Sequence, residues 1–572
     1  MSKYIETNEK FINPYNFVSI SDCDPIKRKK VVYGIHSGSI TCRLEILTPL
    51  FIPNTTKSDA FDNDKENAFA KAEGKPANSY DFFSYEDLAK RDDYYANPAK
   101  PIIPGSSIRG AMRAAFEAVV NGCLSTTDDE TVLYRRTTEP KKKCGVIQKN
   151  GSKWYLIEAK KDKCRPMDKP MGTKVRNGYY LKGERGPGKK HDAVMTPIDG
   201  VKPKLLEKED IDRLYNVWRL YQPVKSKIKG VNQTENHRGY RGWFELENIP
   251  VYYEEVNGIL YISPACITKD VFKNTIKSLL KSQGEHQSCT DNNNLCASCR
   301  LFGMVSEGGS LASRLMFKDA EPNEDNTHWS DWYDSVRTLP ILASPKVSAA
   351  EFYMEKEDGY YNYDFQVINK KKILLEKPRL RGRKFYWHRE SEEKVPPDKS
   401  IADLKQRTRI RPLKASGINT FTFQIAYDRL SDKELQTLLW ALTFGENANT
   451  HAHKLGYGKP YGYGSVRITV DEVTSISLDE NLCLEEKVLD IKPITPSDSA
   501  AFKEYLAMTD FSKASNKVKY PHGDDGKKSA AYVWFGINKE IKKGAFGGGG
   551  FNRTLPKPTE KDVSLPNYRL RK

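Results

Sequence analysis

Ile40, Cys42, Leu44 and Ile46 alternate with Thr41, Arg43 and Glu45, which predicts a half-buried strand ending at Thr48-Pro49. After a proline-glycine break the stretch IPGSSIRGAMRAAFEAVVNGCLS, Ile103 to Ser125, repeats Ile108, Met112, Ala115, Phe116 and Val119 at helical spacing. Alternation resumes over 243–268, in FELENIPVYYEEV and GILYISP, and a helix follows with Asp270 as its candidate N-cap and Lys281 near its end. Thr420–Tyr427 puts Phe421, Phe423 and Ile425 on one face. Ser431 and Glu434 form a capping box for a helix whose stripe is Leu435, Leu438, Leu439 and Leu442. A last strand carries Val466, Ile468 and Val470 on one face. The order strand, helix, insertions and strands, helix, strand is compatible with an α+β chain. Its core would be the ferredoxin-like (RRM-like) β-α-β-β-α-β unit, a topology that presents a sheet face to RNA.

Between these elements the composition shifts. Residues 1–35 read as an N-terminal arm, in which FINPYNFVSI docks in extended form, and 36–125 as the first part of the core. Lysine-rich, turn-rich pieces over 126–242 read as a basic insertion, with strand candidates such as Lys153–Ala159. The core continues over 243–339, a strand-rich segment fills 340–419, and 420–472 ends the core. Residues 473–572 read as a C-terminal extension, with a flexible tail after GAFGGGGFNR.

Charge and cysteine content narrow the partners and the compartment. A net charge of +17 over 572 residues favours a polyanionic partner, since neutralised phosphates release counterions. The 31 tyrosines offer stacking surfaces for unpaired bases. No apolar run approaches the roughly 20 residues that span a bilayer, and the first residues lack a signal-peptide core. Ten cysteines, three of them clustered, fit a metal site in a reducing cytoplasm better than a disulfide framework.

Five groups of residues carry candidate chemistry. Ser106 or Ser107 can cap the helix that starts there, while Arg109 and Arg113 share another of its faces, so the helix start reads as a phosphate clamp. It reads equally as an ordinary capped helix with surface arginines. The loop Gly456, Tyr457, Gly458, Lys459, Pro460, Tyr461, Gly462, Tyr463, Gly464 allows close backbone approach and interleaves rings for stacking. It lacks the Gly-Lys-Ser/Thr ending of a Walker loop. Arg379, Arg381, Arg383 and Lys384 precede Phe385, Tyr386, Trp387 and His388, mixing phosphate-binding cations with rings. His286, Cys289, Cys296 and Cys299 have zinc-knuckle spacing with no open position, which implies a structural Zn2+. Asp59, Asp62 and Asp64, in the loop after the first strand, could hold a divalent metal such as Mg2+ or position a 2′-hydroxyl for attack on the next phosphate.

Taken together, IPGSSIRGAMR, CASCRLFG with GGSLASRLMFKDA, LSDKELQTLLWAL and LGYGKPYGYGSVRI resemble the RAMP superfamily of CRISPR-associated proteins. The likeness is to the long, insertion-bearing, backbone-type subunits of type III effector complexes, and NPYNFV and RGRKFYWH add to it. The resemblance implies binding of CRISPR RNA by Ser106, Ser107, Arg109, Arg113 and the Gly456–Gly464 loop. It also implies target single-stranded RNA and other effector subunits as partners, with a projecting thumb expected within 340–390. Cleaving members cut target RNA with a loop aspartate and a divalent metal, which leaves Asp59, Asp62 and Asp64 open here. A purely architectural subunit is the alternative. A second is a metal-independent endoribonuclease that processes CRISPR RNA through His36 or His388.

Overall fold

The computed structural model describes residues 4–20, 26–61, 78–128, 131–136, 141, 143–182, 191–220, 243–265, 269–323, 328–342, 349–356, 361–368, 371–393, 407–417, 419–496, 498–521, 530–538 and 551–570. Six elements build the core: β1 (His36–Ile46), α1 (Gly105–Val119), β2 (Leu315–Phe317), β3 (Thr420–Leu430), α2 (Asp432–Thr443) and β4 (Ser465–Leu478). Their sheet runs in the order β2-β3-β1-β4, and every pairing is antiparallel. Leu44 at its centre lies opposite Phe421 on one side and Ile468 on the other.

The strand period of two turns Ile40, Cys42, Leu44 and Ile46 to one face, where each is 2% exposed or less. Ile108, Met112 and Phe116 of α1 and Leu435, Leu438 and Leu442 of α2 close over that face. Each such side chain contributes about 1.5–3 kcal/mol on burial. The Ser431–Glu434 capping box forms as the spacing predicts, and α2 ends where Phe444 turns into the left-handed region at φ 61°.

The basic insertion is a folded unit. Its sheet runs in the order Ile259–Ser263, Asn248–Val256, Lys143–Asn150, Lys153–Cys164, Asp192–Pro197, Gly178–Leu181, Lys174–Val175. It encloses a core of its own that includes Val146, Ile147, Leu156, Met195 and Val251. The strands of 243–268 therefore belong to this sheet, and a division at 242 runs through it.

Three local readings change. The helix after these strands spans Ile276–Ser282 and is capped by Thr275, which forms a capping box with Ser278. Asp270 sits instead in a short strand and pairs with buried Lys141. The end of the chain is not a loose tail, because Leu565–Leu570 pairs antiparallel with Tyr4–Phe11. GAFGGGG itself lies outside the described residues. In the arm, Tyr15–Val18 pairs with Arg383–Tyr386, so NPYNFV and RGRKFYWH form one ribbon. Among the described residues no helix is long and apolar enough to cross a membrane.

Candidate nucleic-acid groove and metal centre

A groove of about 520 Å³ runs between α1 and the glycine-rich loop. Its floor is the small-residue face of α1, namely Ser106, Ser107, Gly110, Ala111 and Ala114. One wall is Lys454 to Lys459, and another is Lys384 with Phe385, Tyr386 and His388. The glycine loop needs its glycines. At Gly456, φ 76°, a Cβ would stand 2.3 Å from the Phe51 carbonyl oxygen, and at Gly464, φ 74°, 1.9 Å from that of Leu455.

Three lysines face this groove, and no carboxylate among the described residues pairs with any of them. Lys384 Nζ sits 3.9 Å from the centroid of the Tyr15 ring, and burial pushes its pKa down to about 8. Lys454 Nζ donates to the Tyr463 carbonyl over 3.1 Å. Its pKa is pushed down to about 7, by burial first and then by the charges of Lys459 and Arg389. Burial also lowers the pKa of Lys459. Half-buried ammonium groups without counter-charge gain most from an anion brought into the cavity.

The arginines singled out by spacing point elsewhere. Arg109 Nη2 donates to the Phe302 carbonyl over 2.5 Å. Arg113 donates through Nε to Glu117 over 3.0 Å and through Nη2 to Cys299 Sγ over 3.4 Å. Arg383 is enclosed and donates to the Gly122 carbonyl, while Arg381 donates through Nε to that of Met354 over 3.0 Å. Neither serine caps α1: Pro104 holds the N-cap position with no side-chain bond, and Asp319 Oδ1 accepts the Gly105 N–H over 2.7 Å. Of the loop tyrosines only Tyr457 borders the groove. Tyr461 and Tyr463 are 5% and 2% exposed and belong to the core, which leaves neither a face for a base.

The metal-ligand cluster forms with a different membership. Cys123, Cys289, Cys296 and Cys299 are all buried, and their sulfurs lie within 4.8 Å of one another. Tetrahedral Zn–S bonds of about 2.3 Å would set sulfur–sulfur edges near 3.8 Å, so the four fit one such ion after small adjustments. Backbone N–H groups point at the sulfurs: Cys296 N–H to Cys289 over 3.3 Å and Cys299 N–H to Cys296 over 3.4 Å. Arg28 Nε adds a donor to Cys289 over 3.4 Å. Such donors favour thiolate over thiol, and metal ligation requires thiolates.

His286 is not part of this set. Its Nδ1 lies 2.5 Å from the Gln283 carbonyl oxygen and its Nε2 2.8 Å from the Asn121 side-chain amide, so both nitrogens are engaged. Burial, reinforced by nearby Arg383, pushes its pKa down to about 4. Cys123, just past the end of α1, takes the place the spacing gave to His286.

The sequence model of the RAMP superfamily matches residues 43–467, from within β1 to within β4. The chain belongs to the RAMP superfamily. No curated protein matches this RAMP protein. Among solved structures, a chain of "Cryo-EM structure of the Type III-B Cmr-beta bound to cognate target RNA" is similar at 8% identity and a TM-score of 0.17, over 76% of this chain and 98% of that one.

In the RAMP core the loop after β1 holds the aspartates of interest. Asp59 is exposed and forms an isolated parallel bridge to Ser79, while Asp62 and Asp64 lie outside the described residues. Buried Arg411, paired with Asp81, also donates to the Tyr94 carbonyl over 2.8 Å and so fastens the far side of this loop. The histidines considered for acid-base work are committed. His388 is buried between Ser465 Oγ and the Ala452 carbonyl, at 2.9 and 3.1 Å, and His36 Nε2 lies 2.8 Å from Asp432. Lys454 carried no signal in the sequence beyond its place two residues before Gly456.

Proposed function

We propose that this protein binds CRISPR RNA as a backbone-type subunit of a type III antiviral ribonucleoprotein effector. The observation that carries this reading is the groove between α1 and the glycine loop, with three lysines that no carboxylate among the described residues pairs with. A sugar-phosphate backbone can lie along the small-residue face of α1, its phosphates toward Lys384, Lys454 and Lys459 and its riboses against Gly456 and Tyr457. Ser106 and Ser107 supply hydroxyls to the same strand. The β2-β3-β1-β4 sheet under the groove reads as a ferredoxin-like core, from which the folded insertion and the 340–419 segment extend toward target RNA and neighbouring effector subunits.

The four thiolates would hold a structural Zn2+, tying the end of α1 to the segment around Cys289–Cys299. A reducing cytoplasm keeps those thiols available. Cleavage of guide-paired target RNA falls to the loop after β1. Asp59, Asp62 and Asp64 are the candidate carboxylates there, acting with a Mg2+ ion, and of these Asp59 is exposed among the described residues. An Asp59→Ala variant that assembles with guide yet loses one target cut assigns the role, and unchanged products favour the architectural reading. The committed nitrogens of His388 speak against metal-independent processing.

The binding test is a Lys384→Glu, Lys459→Glu double variant, titrated with repeat-containing RNA across a salt series. We expect affinity at least tenfold weaker and a flatter dependence of log K on log salt. A folded double variant with unchanged affinity and slope would overturn the reading.

A further inference from the structure

The two ends of the chain enclose a second cavity, of about 850 Å³, and no residue lines both it and the groove. The ribbon of Tyr4–Phe11 and Leu565–Leu570 is uneven there. Glu6 pairs with Tyr568 and Lys10 with Pro566, so three residues on one strand span a single residue on the other. The longer strand bulges at that point, and Thr7 and Asn8 of the bulge line the cavity. Leu555, Pro556, Leu565 and Pro566 give it an apolar wall.

Arg381 lines the same cavity and is only 8% exposed. Its Nε donates to the Met354 carbonyl over 3.0 Å. Among the described residues its two Nη groups have no hydrogen-bond partner, and no carboxylate stands within ion-pairing distance. The carboxylates of the cavity are committed elsewhere. Glu6 accepts from Arg553 Nε and Nη2 over 2.8 and 3.1 Å. Glu355 accepts from Arg379 Nε over 3.0 Å and has Lys557 Nζ at 3.5 Å, while Glu560 accepts the Lys557 N–H over 2.6 Å. Burial pushes the pKa of Arg381 down to about 10, and the more distant charges of Glu355 and Glu560 do not offset it.

We infer that this cavity binds a small organic molecule carrying one negative charge, its oxyanion held by the two Nη groups of Arg381 and its apolar body set against Leu555, Pro556 and Leu565. A guanidinium presents two parallel N–H donors to the paired oxygens of such a group, whether carboxylate or phosphodiester. One buried cation without counter-charge calls for one negative charge. A polyanion fits poorly, because each further phosphate would pass Glu6, Glu355 or Glu560, which separates this ligand from RNA in the groove. The walls come from both chain ends and from the segments around Glu355 and Arg381, so the occupant ties these pieces together.

Calorimetric titration of the RNA-free, full-length protein with hexanoate, diethyl phosphate, hexanamide and inorganic phosphate tests this. The expected result is saturable one-to-one binding of an organic anion, at least tenfold tighter than of hexanamide or inorganic phosphate, with a higher melting temperature in its presence. The tighter of hexanoate and diethyl phosphate identifies the charged end as carboxylate or phosphodiester. Arg381→Met should weaken binding at least tenfold. Asn8→Trp, a bulky group at an exposed position on the wall, should do the same while leaving Arg381 in place. Lys384→Glu with Lys459→Glu, which alters the groove, should leave the affinity unchanged. The proposal would be overturned by no binding of either organic anion, by hexanamide binding as tightly, by inorganic phosphate binding alone, or by displacement of the anion by an oligoribonucleotide. Full affinity in folded Arg381→Met or in Asn8→Trp would overturn it equally.

Discussion

Asp319 Oδ1 accepts the first N–H of α1, at Gly105, over 2.7 Å, so the positive end of this helix already holds an anion from its own chain. Whatever anion the groove takes lies along the flank of α1 and not at its tip. The cap joins α1 to the second residue after β2, and Tyr85 donates its hydroxyl to the other oxygen of the same carboxylate.

Replacing that carboxylate should cost stability. Asp319→Ala leaves the Gly105 N–H without its acceptor, and loss of a side-chain cap costs about 0.5–2 kcal/mol. Urea titration followed by circular dichroism should show the lower midpoint, with RNA affinity of the folded fraction close to that of the parent.

The groove should bind RNA more tightly in mild acid. A phosphate favours the charged form of Lys454, whereas burial holds its pKa down to about 7, so binding takes up a proton above that pH. Affinity at pH 6 should exceed that at pH 8 by several-fold, measured by fluorescence anisotropy at constant ionic strength. Lys454→Met should flatten the difference.

Without RNA the same residue acts oppositely on folding. Lysine in the unfolded chain titrates near about 10.4. Between about 7 and that value the unfolded chain holds a proton at Lys454 that the folded chain has released. The contribution of this group therefore makes stability rise with pH across that window. In Lys454→Met the rise in denaturation midpoint from pH 7 to pH 9 should be smaller than in the parent.

Metal content distinguishes the two candidate fourth ligands. Cys123→Ser should lose zinc to a chelator that leaves the parent loaded, whereas His286→Ala should keep it, as read by elemental analysis after dialysis. The histidine variant should still be destabilised by about 1–3 kcal/mol, because the Gln283 carbonyl loses a buried partner.

The core was legible where structure is local. The alternation of β1, the capping box of α2 and the stripe of α1 each carry their own periodicity, and each stands where the pattern puts it. What escaped depends on distant pairings. Cys123 meets Cys299 across 176 residues, and no spacing rule spans that distance. Arg113 looks like Arg109 in a helical projection, yet its direction is set by Glu117 and the sulfur of Cys299. The strand candidate Lys153–Ala159 does form, and only its run on to Cys164 went unread, because lysines with their charged ends in water fill that stretch. Leu565–Leu570 is too short to announce itself, and only its partner strand defines it.

Helix α1 is fastened at its start by Asp319 and just past its end by the sulfur cluster around Cys123. It behaves as a rail clamped at both ends, with its loading face set before any strand arrives. On the proposed reading, capture then costs little rearrangement and proceeds at the pace of encounter. With the proposed zinc held by the four sulfurs, removing it would free the far clamp, and the groove would have to be assembled anew with each strand. That change should register as a slower association rate before it registers as a lost equilibrium.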